Sequence, residues 1–272
     1  MRIFCSLLAA AGFAFNLTAL EIIAHRGASY DAPENTLASV RLGYEQKADG
    51  VEIDIHLTKD NQVAVIHDFD TARVTGGPKL KVVDLTLAEL QPLKVGAWGK
   101  WTNQPFNETL PSLPEVLKLV PSGKKLFIEI KTGPEIIPAL KSALDAAKLS
   151  PNQLRIITFN YESASASRKT FPQIKTYWLV GYAKDKITGK LPELNETIAK
   201  AKAADVHGLD LNFNWPLTKE TVAQIKAAGL ECHVWTVNDA AKARELAASG
   251  VDSITTDRPA WLRDQLRLAG SR

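Results

Sequence analysis

The chain is poor in cysteine, with 2 in 272 residues, so a disulfide-built scaffold is excluded. It has no surplus of one charge: 33 basic residues stand against 30 acidic ones, a net charge of +3. Lysines and arginines form no cluster, so nothing marks a nucleic-acid footprint. Neither an internal repeat nor a low-complexity run is present, and no glycine-rich turn follows a first strand to suggest dinucleotide binding. The 16 glycines and 14 prolines are far too few for a collagen-like chain. What remains is a sequence that is 45% hydrophobic and 23% charged, enough apolar material for one sizeable buried core.

Residues 1–19 differ from the rest. Arg2 is the only charge before Glu21, and Ile3 to Phe15 is an almost unbroken apolar run. A polar exit through Asn16, Leu17, Thr18 and Ala19 follows. This layout predicts a secretory signal and an exported, periplasmic or secreted product. The run is shorter than the roughly 20 residues of a spanning helix, so no stable membrane anchor is expected after signal removal. Cys5 would leave with the signal, and the mature chain would keep Cys232 alone.

From residue 20 onward, short β-rich runs alternate with helical patterns. The predicted strands are Glu21–His25, Val51–Ile55, Lys125–Lys131, Leu154–Phe159, Lys175–Val180, Asp205–Leu211, Leu230–Thr236 and Asp252–Thr256. Helices are predicted over Glu34–Lys47, Pro134–Lys148, Leu191–Lys202, Thr218–Ala228 and Asp239–Ser249, among others. Eight strands interleaved with helices over about 250 residues predict an α/β fold, a (β/α)₈ TIM barrel. More than forty residues separate His67 from Pro114, including Gly76-Gly77-Pro78, Trp98 and Trp101. A structureless loop of that length is unusual, so a small inserted subdomain after the second strand, at about 69–112, is expected on one barrel face.

Strand alternation assigns the polar residues to sides. In Val51-Glu52-Ile53-Asp54-Ile55 the β-branched residues share one face and the two carboxylates the other. Phe127-Ile128-Glu129-Ile130-Lys131 repeats the arrangement. Three inward carboxylates near neighbouring strand ends suit a hard divalent cation with all-oxygen ligands. Internal salt bridges, with Lys131 and Arg26 neutralising two of the acids, explain the same pattern. His25 and His67 each fall where a strand passes into its following loop, the catalytic face of this fold, and suit general acid–base work. Glu231, His233 and Trp235 share a strand face, so Trp235 is either a pocket wall or barrel core. His56 reads as peripheral, beside a turn at Leu57-Thr58-Lys59-Asp60, and His207 as core filler.

Together these pieces resemble the glycerophosphodiester phosphodiesterase family. The opening motif stands as His25-Arg26-Gly27 and Pro33-Glu34-Asn35-Thr36. The second block stands as Gly50-Val51-Glu52-Ile53-Asp54, Thr58-Lys59-Asp60 and His67-Asp68, and the Glu-x-Lys strand as Glu129-Ile130-Lys131. The closing blocks are Trp235-Thr236-Val237-Asn238, Gly250-Val251-Asp252 and Thr256-Asp257-Arg258-Pro259. The resemblance implies that Glu52, Asp54 and Glu129 bind one divalent cation, Ca²⁺ or Mg²⁺. It implies an acid/base pair in His25 and His67, phosphate binding by Arg26 and Lys131, and a supporting role for Glu34 in the loop or the metal's outer shell. The stretch Thr71-Ala72-Arg73-Val74-Thr75-Gly76 follows the family's Arg-Thr-Thr-Gly pattern only loosely. The expected reaction is hydrolysis of a small glycerophosphodiester to sn-glycerol 3-phosphate and an alcohol. Two other readings are a lysophospholipase D or sphingomyelinase-D-like enzyme on the same site, and a non-catalytic phosphodiester-binding protein. Oligomeric state leaves no mark on the sequence.

Overall fold

A computed structural model describes residues 20–96 and 98–270. The expected export signal at 1–19 lies outside the described residues. Nine strands form: β1 (Glu21–Ala24), β2 (Gly50–Leu57), β3 (Val63–Val65), β4 (Lys125–Ile130), β5 (Leu154–Thr158), β6 (Lys175–Val180), β7 (Gly208–Asn212), β8 (Glu231–Trp235) and β9 (Ser253–Thr256). Eight of them are parallel neighbours in the order β1-β9-β8-β7-β6-β5-β4-β2, and β1 also pairs with β2. That last pairing, Ile23 with Gly50 and Ala24 with Val51, closes the sheet into a (β/α)₈ barrel. β3 runs antiparallel along the outgoing half of β2, with Ile55 opposite Val65.

The alternation of side chains explains why these residues close a barrel. Val51, Ile53, Ile55, Leu126, Ile128 and Ile130 face outward and are buried under helices that contribute Val40, Leu140 and Leu144. On the other side of the barrel Leu209, Leu211, Cys232, Val234 and Ile254 pack against Val222, Ile225, Ala243 and Leu246. The inward set is different in kind: Ile23, Phe127, Ile157, Tyr177 and Leu179 fill the lumen. Both faces are therefore dry, as a parallel sheet requires. Buried polar residues, among them Glu52, Asp54, Glu129, Asp210 and His233, interrupt this lining.

Helix boundaries depart from expectation at one informative place. The first helix spans Leu37–Glu45, not 34–47, because Asn35 takes a left-handed backbone (φ 57°) and Thr36 caps the helix through Ser39. Pro33 and Glu34 therefore stay in the loop, which leaves the Glu34 carboxylate free to turn back over the barrel. His56 is not peripheral: β2 runs on to Leu57, so His56 is a buried inward residue of that strand. His207 is not core filler. It sits half-buried just before β7, where its Nδ1 accepts a hydrogen bond from the Thr176 N–H at 3.1 Å.

Between β3 and the helix Leu113–Leu117 the chain makes short helices at Ala72–Thr75 and Leu87–Leu90 and 3₁₀ turns at Val82–Asp84 and Gly99–Trp101. Ile66, Val74, Val82, Leu90, Val95 and Leu110 form an apolar cluster of their own there. No helix among the described residues is long and apolar enough to cross a membrane.

Candidate active site

The C-terminal ends of β1, β2, β4 and β9 meet at one point on the barrel rim. Asp54 is register partner to Glu129 across β2 and β4, and Ala24 to Thr256 across β1 and β9. Glu52, Asp54 and Glu129 are all buried, and each offers an oxygen within 4.8 Å of the other two. Their surroundings do not fully satisfy them. Glu52 Oε2 accepts the backbone N–H of Arg26 at 2.8 Å, but its Oε1 has no hydrogen-bond partner. Asp54 Oδ2 accepts from the Asn35 amide at 2.8 Å, and its Oδ1 likewise lacks a hydrogen bond. The charged neighbours are Arg26, whose Nε is 3.3 Å from Asp54, and Lys131, whose Nζ is 2.7 Å from Glu129 and 3.4 Å from Asp54.

Three carboxyl groups thus share two permanent cations in a buried space. Burial pushes Glu52 well above the ordinary carboxylate range, and the charges of Asp54 and Glu129 push it further. Glu129 is raised to about 7 by burial and by Asp54, against the pull of Lys131. Asp54 goes the other way: burial raises it, but Arg26, Lys131 and His67 together outweigh burial and hold it low. Glu52 is thus pushed toward its protonated form and Glu129 is poised near neutrality, so a further positive charge there would favour loss of both protons. A cavity of about 20 Å³, bordered by Glu52, Glu129, His25, Asp210 and Trp235, has room for about one water or one ion. The donor set is all oxygen, the choice of a hard cation.

Two histidines flank this cluster, each oriented in the same way. His25 Nδ1 lies 2.7 Å from Asp257, and His67 Nδ1 lies 2.7 Å from Asp68. An ionised carboxylate accepts only, so Nδ1 carries the proton in each neutral ring and Nε2 carries the lone pair. Both partners are firmly ionised. Asp257 falls to about 2: burial opposes this, but hydrogen bonds from His25, Asn238 and Ser29 win. Asp68 also falls to about 2 because Arg73 and His67 overcome its burial. His67 is itself lowered, chiefly by burial.

Arg73 ties the two halves together. Its guanidinium donates to both oxygens of Glu34, at 2.9 and 2.8 Å, and to both of Asp68, at 2.7 and 3.1 Å. Glu34 in turn accepts from Arg26 NH1 at 2.9 Å. The chain of contacts His67–Asp68–Arg73–Glu34–Arg26–Asp54 is therefore continuous. Trp235 borders the same cavity, donates its indole N–H to the Asp210 carbonyl at 3.2 Å, and meets Phe159 edge-on at 5.4 Å.

All nine residues proposed from the sequence lie on this rim. Sequence reasoning assigned no role to Asp257, Asp68, Arg73, Asn35 and Asn238. Four of these stand inside motifs already quoted, and the fifth, Arg73, is the arginine of the loosely matched stretch. His56 belongs with this site: its Nε2–H donates to the His67 carbonyl at 3.0 Å. Asp210 Oδ1 is a further buried oxygen without a partner, and burial raises that carboxyl to about 7.

The sequence profile of the Glycerophosphoryl diester phosphodiesterase family matches residues 25–261, a span that includes every residue of this site. The chain belongs to that family. A glycerophosphodiester phosphodiesterase of Caldanaerobacter subterraneus is 33% identical over 255 residues, covering 92% of this chain and 98% of its own length. The Bacillus subtilis protein YhdW is 34% identical over 244 residues, covering 89% of this chain and 96% of its own. An Oleispira antarctica phosphodiesterase, solved in complex with the product sn-glycerol-3-phosphate, superimposes with a TM-score of 0.79 at 29% identity over 91% of this chain and 96% of that one. Membership places the protein among enzymes of phosphoric diester chemistry.

The motif glycine of the first loop has a steric reason. Gly27 has φ +82°, and a Cβ there would stand 2.4 Å from the Ser39 carbonyl carbon. Gly27→Ala is expected to cost at least about 2 kcal/mol, strain and clash together, and to loosen the loop that holds His25 and Arg26. Urea denaturation of the two proteins measures it.

Proposed function

We propose that the protein is an exported, cation-dependent hydrolase that converts a glycerophosphodiester and water into sn-glycerol 3-phosphate and an alcohol. The observation that carries this reading is the meeting of three under-neutralised carboxylates with two carboxylate-oriented histidines on one rim. Glu52, Asp54 and Glu129 would hold one divalent cation, Ca²⁺ or Mg²⁺. Two of their oxygens are buried without a hydrogen bond, and the adjoining cavity takes a single ion. When bound, such a cation supplies Lewis-acid stabilisation of charge on phosphate oxygens and orients the substrate's hydroxyls. The exported location rests on the layout of residues 1–19.

The protein's own groups divide the remaining work. A phosphodiester carries one negative charge, and hydrolysis must move a proton from water and deliver one to the departing alkoxide. His25 and His67 present Nε2 for these two transfers, one ring accepting and the other donating, while Asp257 and Asp68 fix each ring and stabilise its charged form. Arg26 offers a planar fork and Lys131 a point charge for the phosphate. Glu34, locked by Arg73, sets the orientation of Arg26. Trp235 and Phe159 wall the approach and exclude water from the reacting centre.

Purified protein is expected to release glycerol 3-phosphate from glycerophosphocholine, to stop when chelator is added, and to recover with Ca²⁺ or Mg²⁺. His25→Ala and His67→Ala should each lower the rate by about 10²–10⁴ without unfolding the barrel. An enzyme-coupled assay with circular dichroism as the folding control tests this, and full activity in either variant would exclude the acid–base roles.

The raised carboxyls give a second, activity-free prediction. A group whose folded pKa lies above its unfolded value stabilises the fold below the unfolded pKa and loses that contribution as pH rises through the folded one. Glu129, raised to about 7, and Glu52, raised well above the usual range, therefore weaken the cation-free protein as pH climbs from about 4.5 through 7 and beyond. A bound cation removes that penalty. The gain in Tm on adding Ca²⁺ or Mg²⁺ should be larger at pH 8 than at pH 5. Scanning calorimetry at the two pH values decides it, and an equal gain at both would contradict the assignment.

A further inference from the structure

Among the described residues, the large apolar side chains most open to solvent are Tyr30, Phe69, Val83, Phe159, Ile187 and Leu191. Each belongs to a segment at the outgoing end of a barrel strand: after β1 for Tyr30, after β3 and beside His56 and Leu57 of β2 for Phe69 and Val83, after β5 for Phe159, and after β6 for Ile187 and Leu191. Single exposed apolar residues scattered over a surface need no explanation, but their collection on one face does. Three of the six touch a neighbouring ring or cation. The Tyr30 ring carries Lys100 and Arg258 at 4.1 and 4.2 Å, Phe159 packs on Trp235, and Phe69 meets His56 edge-on at 4.8 Å. Phe69 and the remaining three make two prongs.

The first prong is the loop Lys184-Asp185-Lys186-Ile187-Thr188-Gly189-Lys190-Leu191. It is a closed turn: the Asp185 N–H donates to the Lys190 carbonyl at 2.8 Å, and the Gly189 N–H to the Asp185 carbonyl at 2.9 Å. The one acid, Asp185, is consumed internally, accepting from the N–H groups of Ile187 and Thr188 and from the Thr188 hydroxyl at 2.7–3.0 Å. Ile187 stands at the tip and is 94% exposed. Lys184, Lys186 and Lys190 flank it along the chain, all exposed and none in an ion pair among the described residues, while Glu193 and Glu196 border the cavity that Ile187 and Lys190 also line. The second prong is Phe69 with Val83, 65% and 59% exposed, beside a cavity of about 330 Å³ whose rim carries Lys81 and Lys79, the latter 3.6 Å from Asp70 on the same rim.

We propose that this face docks on an anionic phospholipid bilayer, with Ile187 and Val83 entering the acyl boundary and the flanking lysines meeting lipid phosphates. The occupant follows from the chemistry. A preformed turn that lifts one bare isoleucine between exposed lysines that form no ion pair matches a surface that is negative outside and apolar just beneath. Two separated tips do not offer the continuous apolar area that a stable protein–protein contact buries. Docking in this pose turns the barrel rim that holds the active site toward the lipid. The inference does not depend on the substrate proposed above.

The test is co-sedimentation of the full protein with vesicles of phosphatidylcholine alone and of phosphatidylcholine mixed with phosphatidylglycerol, alongside turnover of soluble glycerophosphocholine. Retention is expected on the mixed vesicles only, and it should fall as salt is raised. Replacing Lys184, Lys186 and Lys190 by Gln should weaken retention about five-fold per lysine. Ile187→Glu should weaken it by about ten-fold or more while soluble turnover stays at the parent rate. These sites are fully exposed, so the variants fold. The proposal fails if mixed vesicles retain nothing, if Ile187→Glu sediments like the parent, or if that substitution instead dissolves a dimer seen by light scattering. Because retention is read without turnover, an inactive protein that still binds mixed vesicles would overturn the proposed reaction and leave this inference standing.

Discussion

Like charges packed into the end of a barrel repel, and the repulsion among Glu52, Asp54 and Glu129 organises everything around them. Three carboxyls lie within 4.8 Å of one another and out of water, with Arg26 and Lys131 as the only permanent positive charges in ion-pair contact among the described residues. Burying an unpaired charge costs several kcal/mol, so the site accepts protons, cations or both. Asp54 keeps its charge because Arg26, Lys131 and the Asn35 amide surround it; burial and repulsion push Glu52 and Glu129 toward the protonated form. A stability argument alone would replace such a cluster with leucines. The proposed cation would offset the repulsion.

The barrel makes this crowding possible and then limits it. Parallel pairing sets Asp54 level with Glu129, and strand alternation turns Glu52 the same way, so three acids arrive at one point without any loop having to be ordered. Everything beyond that first layer comes from loops. The β1 loop brings Arg26 and Asn35 back over the strand ends, and Asn35 needs a left-handed backbone to reach Asp54. The segment after β3 contributes Arg73, which joins Glu34 to Asp68 and so connects Arg26 to His67. Rigid strands hold the charges and the loops supply their partners.

Much of this was legible in the sequence because it is local. The pair Glu52 and Asp54, the pair Glu129 and Lys131, and the strand-end position of His25 and His67 follow from alternation and boundaries within five or six residues. The barrel followed from the count and spacing of strands. What escaped were relations between distant residues. Asp257 orients His25 from 232 positions away, and no pattern near either residue declares it. His56 was misread because the turn chemistry at Thr58-Lys59-Asp60 looked as though it began earlier, whereas pairing with β3 extends β2 to Leu57. The first helix was drawn too long because apolar periodicity cannot register the backbone reversal at Asn35. The helix Tyr161–Thr170 carries no apolar stripe: it buries Ser163, Ala164 and Ser167, small residues that let it lie close to the sheet.

One divalent cation, as proposed, would answer the repulsion among these three carboxyls. Its binding is read by calorimetric titration of Ca²⁺ and of Mg²⁺ into chelator-stripped protein, repeated in buffers of different ionisation heat. One site is expected, with protons released on binding from Glu52 and Glu129, and loss of that site in Glu52→Gln and Glu129→Gln. No binding of either cation, or binding that survives both substitutions unchanged, would contradict it.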